Sequence, residues 1–171
     1  SKAHDGKDNY YINEQALATW EGAGAELLGI EGQKVKREDF VAFLEGKMPN
    51  PVTGEIQDLA DNSRGKERRL GVDFTISPPK SVSLVALIGG DERIMEVHQQ
   101  ANAKAMAWLE ATSSVVRVRN NSEVTPHLKG NLIYASVAHE TSRSNEPQIH
   151  SHNVMVSVVF DKESGKWRSL T

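Results

Sequence analysis

The stretch Ile149-His150-Ser151-His152-Asn153-Val154-Met155-Val156-Ser157-Val158 places the tightest constraint on how this chain can fold. Side chains of an extended strand alternate between faces, so His150 and His152 fall in phase with Val154, Val156 and Val158. One face of such a strand starts with two imidazoles and continues into an apolar anchor. A second apolar run, Leu132-Ile133-Tyr134-Ala135-Ser136-Val137-Ala138, ends in His139, and only the loop from Glu140 to Ile149 separates the two. An antiparallel return brings His139 opposite the pair. Three neutral imidazoles meeting at one point can bind a divalent cation and leave coordination positions open, as a catalytic metal site requires. A histidine pair on a strand is often incidental. The third histidine, closing the neighbouring strand, shifts the balance towards ligands.

The rest of the composition narrows the class. A chain of 171 residues suits one domain with a sizeable core, and 38% hydrophobic with 25% charged residues is ordinary for a soluble protein. Cysteine is absent, which excludes disulfides and thiolate metal sites and is compatible with a reducing cytoplasm. No apolar run approaches the ~18 residues of a membrane span. No secretory signal precedes the polar start Ser1-Lys2-Ala3-His4-Asp5, which also lacks an initiator Met, so the sequence reads as a piece of a longer polypeptide. A net charge of -3 argues against a general nucleic-acid-coating protein but leaves room for local basic patches. Arg64, Lys66, Arg68 and Arg69 form one such cluster, and Arg117 and Arg119 share a face of the strand-like Val115-Val116-Arg117-Val118-Arg119. Charged runs of this kind are more commonly solvated surface.

Along the chain, a helical pattern from Glu14 to Leu28 is interrupted by Gly22 and Gly24, and a short amphipathic helix spans Lys36 to Leu44 with Gly46 beyond its end. Met48 to Gly54 reads as a turn-rich loop, and Asp61 to Arg69 as a mobile polar connector. A strand over Gly71 to Ile76 is stopped by Ser77-Pro78-Pro79, because proline cannot donate to a ladder. Lys80 to Ile88 forms a short apolar helix closed by Gly89-Gly90. The clearest helix runs from Asp91 to Ala111, with Ile94, Val97, Ala101, Ala105, Trp108 and Leu109 as its expected core stripe. Strands over Val115 to Arg119, Asn131 to Ala138 and Ile149 to Phe160 follow. The sum is an α+β domain with helices packed on an antiparallel sheet.

Two features gain meaning beside the histidines. Tyr10 and Tyr11 are adjacent in Lys7-Asp8-Asn9-Tyr10-Tyr11; such a pair is more often packing and surface than catalysis. Asp73 sits in an otherwise apolar strand, where a carboxylate needs a partner. It is a candidate to accept a structural hydrogen bond, orient a histidine, or take a proton from a phenol. Together these residues form a consistent set for phosphodiester chemistry. A cation on the histidines would stabilise charge on phosphate oxygens, and a tyrosine would attack phosphorus to give a phosphotyrosine. With a free pKa near ~10, the phenol needs help from the metal's field or from a carboxylate such as Asp73.

At this level of detail the sequence resembles the N-terminal relaxase domain of conjugative plasmid relaxases of the F-plasmid (MobF) type, within the HUH endonucleases. The resemblance rests on Lys7-Asp8-Asn9-Tyr10-Tyr11, Trp20-Glu21-Gly22 with Gly24-Ala25-Glu26 and Leu28-Gly29, and Phe40 with Leu44-Glu45-Gly46. It continues through Gly71-Val72-Asp73-Phe74-Thr75, Pro79-Lys80-Ser81-Val82-Ser83 and Gly130-Asn131-Leu132. It ends on His139-Glu140-Thr141-Ser142-Arg143 and Glu146-Pro147-Gln148-Ile149-His150-Ser151-His152, and so covers nearly the whole chain. It implies a palm-like antiparallel sheet flanked by helices, and a single relaxase domain over residues 1–171 that is shorter than the family's at both ends. It also implies nicking of one strand of single-stranded DNA at a plasmid transfer origin, with a 5′-phosphotyrosine link. His139, His150 and His152 match the family's metal ligands, for magnesium, manganese, zinc or nickel, and Asp73 matches its acidic residue. Lys80 and Ser81 fall at a helix start where phosphate binds; with Arg117 and Arg119 they are the candidate DNA contacts. Tyr10-Tyr11 aligns with the second of two tyrosine pairs, and the first pair would lie upstream of Ser1. A fused helicase, relaxosome and secretion-coupling partners, and a bacterial cytoplasmic setting complete the implication. The alternatives are a rolling-circle replication initiator, a non-catalytic metal-dependent single-stranded DNA-binding module, and a metal-binding β-domain unrelated to DNA.

Overall fold

A computed structural model describes residues 18–59, 69–120, 123–142 and 144–170. The chain order is β1 (Thr19–Glu21), α1 (Ala23–Leu27), α2 (Arg37–Glu45), β2 (Lys47–Pro49), β3 (Ile56–Asp58), β4 (Gly71–Ile76), α3 (Lys80–Leu87), α4 (Arg93–Ser113), β5 (Val115–Asn120), β6 (Glu123–Leu128), β7 (Tyr134–Thr141), β8 (Pro147–Val156), β9 (Val158–Asp161) and β10 (Lys166–Ser169). Strands β1, β7, β8 and β4 lie side by side in that order, every pair antiparallel. Three hairpins, β2–β3, β5–β6 and β9–β10, form separate two-stranded sheets.

Register assigns the two faces of the central sheet. Ala135, Val137 and His139 of β7 lie opposite Val154, His152 and His150 of β8, and Asp73 and Thr75 of β4 lie opposite Val154 and His152, so all share one face. At its apolar end this face is covered by α1 and α2. Trp20, 2% exposed, sits on it beside Ala135, with ring centroids 5.1 Å from Phe43 and 6.1 Å from Phe40. Helix α2 stops where Gly46 turns left-handed at φ 92°, a conformation that costs glycine little. Gly22 is held more tightly, at φ 95°, with Leu132 O only 2.4 Å from where a Cβ would stand. The carboxylate of Glu110 fastens the same corner, accepting from Ala23 N at 3.0 Å and Leu132 N at 2.6 Å.

The opposite face carries α3 and α4. Met106, Val116, Leu132, Tyr134, Met155 and Val159 form a second apolar cluster there. The expected core stripe of the long helix is displaced: Val97 and Trp108 are 62% and 68% exposed, and Ala101 and Ala105 are also exposed. His98, Asn102 and Met106 point inward instead. The physical reason is on the sheet, which presents Ser136, Ser151 and Asn153 to the helix and so selects its polar side at those positions.

Other expectations shift in smaller ways. The helical pattern to Leu28 resolves into β1 and α1 among the described residues, with Trp20 on a strand. The expected strand from Ile149 to Phe160 divides at Ser157 into β8 and β9, and β6 was not anticipated. Met48 and Pro49 of the expected loop belong to β2, and the rest of it forms the turn of the β2–β3 hairpin. The connector expected over 61–69 lies almost wholly outside the described residues. No helix of the described residues is long and apolar enough to cross a membrane.

Candidate metal centre

The three histidines meet at the end of the sheet where α1 and α2 do not reach. His139 pairs directly with His150 across the β7–β8 ladder, and the register shifts immediately afterwards, between His139 and Thr141, as it does at a β-bulge. Bulges bend a strand locally and re-aim its side chains. The ring centroids form a near-equilateral triangle of 5.0, 5.0 and 5.2 Å, and one ligand nitrogen from each ring lies within 4.8 Å of the others. The intervening loop folds on Ser142, whose Oγ accepts from Ser144 N and Glu146 N, with Asn145 at φ 57°.

Outer partners settle which nitrogens face inward. His152 Nδ1 donates to Asp73 Oδ2 at 2.8 Å, with Thr75 Oγ1 at 3.1 Å from the same nitrogen. His150 Nδ1 donates to the Gln148 carbonyl at 3.1 Å. Both contacts place the proton on Nδ1 and leave Nε2 with its lone pair towards the triangle, the arrangement metal-binding histidines use. The side chains of His152 and Asp73 are 14% and 24% exposed, so the site is shielded yet reachable. Three neutral nitrogens with one open side fit a divalent cation, and Asp73 supplies the negative charge behind it.

The sequence candidates divide around this centre. Asp73 joins it directly. Lys80 and Ser81 open α3, exposed, and Lys80 Nζ pairs with the Glu146 carboxylate of the loop that joins the histidine strands. Arg117 is exposed on the β5–β6 hairpin, which is rooted through Val116 in the cluster around Tyr134 and Met155. That pair is five residues along the strands from His139 and His150, or ~17 Å at ~3.3 Å per residue. Arg119 lies on β5, and Tyr10 and Tyr11 lie outside the described residues. Tyr134 is excluded as a nucleophile on two grounds. It faces the side away from the histidines, and burial, reinforced by Glu21, Glu110 and Glu31, pushes its phenol up to about 12.

Sequence reasoning overlooked the polar groups directly behind the ligand strand. Ser151 lies between the two histidines and meets His98 Nε2 at 2.9 Å; Asn153 and Asn102 exchange amide hydrogen bonds of 2.8 and 3.1 Å. Burial, and then the charge of His150, lowers the His98 pKa, which favours a neutral ring. The available signal was polar residues at 151 and 153 in an otherwise apolar run.

A family profile described as TrwC relaxase matches residues 1–171. The chain belongs to the TrwC relaxase family. The multifunctional conjugation protein TraI of Escherichia coli strain K12 is 40% identical over 166 residues, which is 96% of this chain and 9% of that protein. A second Escherichia coli protein of the same description is 38% identical over 165 residues, again 9% of its length. The chain therefore spans about a tenth of the curated relatives it matches. Among solved structures, TrwC with a 27-mer DNA comprising the recognition hairpin and the cleavage site superposes with a TM-score of 0.82 at 32% identity, over 96% of this chain and 56% of that one. A metal-bound structure of TrwC in complex with oriT DNA gives a TM-score of 0.81 at 33% identity, over 100% and 59%. The TrwC relaxase fold thus accounts for the α+β architecture, and the partly buried histidine triangle belongs to a family with a metal-bound member.

Proposed function

We propose that this chain is the metal-bearing part of a relaxase domain that nicks one strand of plasmid DNA at a transfer origin for conjugation, by metal-assisted transesterification. The observation that carries the reading is the histidine triangle with His152 held by Asp73. The similarity to TrwC solved with oriT DNA supports a nucleic-acid context for it.

His139, His150 and His152 hold the ion, drawn from magnesium, manganese, zinc or nickel. Bound there, a divalent cation supplies Lewis-acid polarisation of the scissile phosphate and offsets its developing charge. Asp73 keeps the proton of His152 on Nδ1 and raises the basicity of the ligand nitrogen. A tyrosine oxygen attacks phosphorus as its proton leaves, the P–O3′ bond breaks, and the 3′ oxygen departs and is protonated. The 5′ phosphate stays on the tyrosine. Tyr10 and Tyr11 are this chain's candidates for that step or for the reverse transfer; a first tyrosine pair upstream would supply the initial attack. Lys80, beside the loop between the histidine strands, releases Glu146 to meet a phosphate, with Ser81 adjacent. Arg117 and Arg119, on β5 of the β5–β6 hairpin, are the remaining candidate contacts to the DNA backbone. Residues 1–171 form one part of a single relaxase domain on a longer bacterial cytoplasmic polypeptide. A helicase region, a relaxosome and secretion-coupling proteins are its proposed partners.

The test is covalent capture. This chain, and one extended upstream, are incubated with manganese and a labelled single-stranded transfer-origin oligonucleotide and run on a denaturing gel. An adduct with both chains makes Tyr10 or Tyr11 a working nucleophile, and an adduct with only the extended chain places the main nucleophile upstream. Tight binding without an adduct in either overturns the catalytic reading and leaves a DNA-binding module.

A further inference from the structure

Helix α4 runs along the back of β8, and the two elements meet through polar side chains at matched intervals. His98 Nε2 contacts Ser151 Oγ at 2.9 Å, and one helical turn later Asn102 exchanges hydrogen bonds with Asn153 at 3.1 and 2.8 Å. Four helical residues advance ~6 Å. Two strand residues advance ~6.8 Å. The near-equality lets both contacts form at once in only one register. Ser151 and Asn153 flank His152 in sequence, and Ser151 separates it from His150, with both polar side chains projecting from the opposite face.

Asn153 extends the coupling sideways. Its Oδ1 also accepts from Ser136 Oγ at 2.8 Å on β7, the strand that carries His139. Its Nδ2 donates to the Phe74 carbonyl at 3.1 Å on β4, next to Asp73. Fully buried, it thus uses both amide protons and accepts two hydrogen bonds on its oxygen. Every strand that contributes to the histidine centre is tied to this one amide. Apolar packing alone would tolerate small slides and rotations of β8, whereas a satisfied buried network specifies one arrangement.

From this geometry we infer that His98 and the Asn102–Asn153 pair are positioning residues for the metal centre: they index β8 against α4 and thereby fix the height and spacing of His150 and His152. The inference rests on the metal reading above. It concerns residues that cannot reach the ion, since they lie on the far face of the sheet.

The test compares His98→Ala and Asn153→Ala with Met106→Ala, which empties a fully buried site on the same helix and removes none of the network's hydrogen bonds. Cobalt(II) affinity and its visible absorption spectrum are read beside the apo melting temperature. His98→Ala and Asn153→Ala are expected to weaken cobalt binding at least ~10-fold, the scale seen for outer-shell partners, and to alter the d–d band. Met106→Ala should lower the melting temperature with less than ~3-fold effect on affinity. His98→Gln, which can still reach the Ser151 hydroxyl, should restore most of the loss. Unchanged affinity in the network variants, or equal losses in all three, overturns the inference while leaving the metal reading intact. Failure of the unmodified chain to bind cobalt overturns the metal reading and the inference with it.

Discussion

Replacing Asp73 by Ala should weaken metal binding by a graded amount that its neighbour controls. The carboxylate accepts from His152 Nδ1 at 2.8 Å, and Thr75 Oγ1 stands 3.1 Å from the same nitrogen. A hydrogen bond involving a charged partner contributes ~1.5–3 kcal/mol and a neutral one ~0.5–1.5 kcal/mol. In Asp73→Ala the Thr75 hydroxyl inherits the proton, so the net loss is ~1–2 kcal/mol, or ~5–30-fold in metal affinity at ~1.4 kcal/mol per factor of ten. Thr75→Val alone leaves the carboxylate in place and should cost less than ~3-fold, because Asp73 then carries the bond unaided. The double variant removes both of these oxygens from His152 Nδ1 and should lose more than the product of the singles, approaching ~100-fold. Competition titration of zinc against a chromophoric chelator at pH 7.5 measures all four proteins. Equal affinities for the parent and Asp73→Ala would refute the idea that the carboxylate orients His152. Strictly multiplicative losses would refute the inheritance by Thr75.

Two predictions concern the frame. Burial alone would push the Asp161 carboxyl up, but hydrogen bonds from Lys129, Arg168 and Ser164, with the Lys129 charge, hold it well below the usual range. The Lys129 and Asp161 side chains are 9% and 3% exposed, so Asp161→Asn leaves the buried ammonium only the exposed Glu163 carboxylate, 3.8 Å away, and should lower stability by ~3 kcal/mol at pH 7. A depressed carboxyl stabilises the fold above its unfolded pKa of ~3.9 and loses that contribution as pH falls towards its folded value; the gap in urea denaturation between parent and variant should therefore narrow below pH ~4. A gap of constant size from pH 7 to 3 contradicts the assignment. Gly22→Ala puts a methyl 2.4 Å from Leu132 O at φ 95°, and should cost at least ~2 kcal/mol. That corresponds to a melting temperature lower by ~4–8 °C. An unchanged melting temperature would rule out the close approach.

The site was more legible than the frame around it. His150 and His152 share a face because strand geometry leaves no other choice, and His139 follows once β7 returns antiparallel to β8. Asp73 stood out as a carboxylate in an apolar strand, and its partner, His152, lies one position diagonally across the ladder. The rotation of α4 was not legible. Its apolar stripe at Val97, Ala101, Ala105 and Trp108 is the more hydrophobic side, yet His98 and Asn102 turn inward because Ser151 and Asn153 await them. Periodicity within one helix carries no information about polar groups on a sheet that closes against it. Trp20 was misread as helical for a related reason. A three-residue strand such as β1 has too few alternations to register as a pattern, and its identity comes from pairing with Tyr134, Ala135 and Ser136.

The claim at the centre of this account is that one cation sits on His139, His150 and His152. Anomalous diffraction from crystals of the zinc-loaded chain tests it most directly. The account predicts a single dominant peak bonded to one nitrogen of each histidine at ~2.0–2.1 Å, with His152 Nδ1 still on Asp73 and an open coordination position facing solvent. A peak elsewhere, or one that engages only two of the three rings, would contradict it.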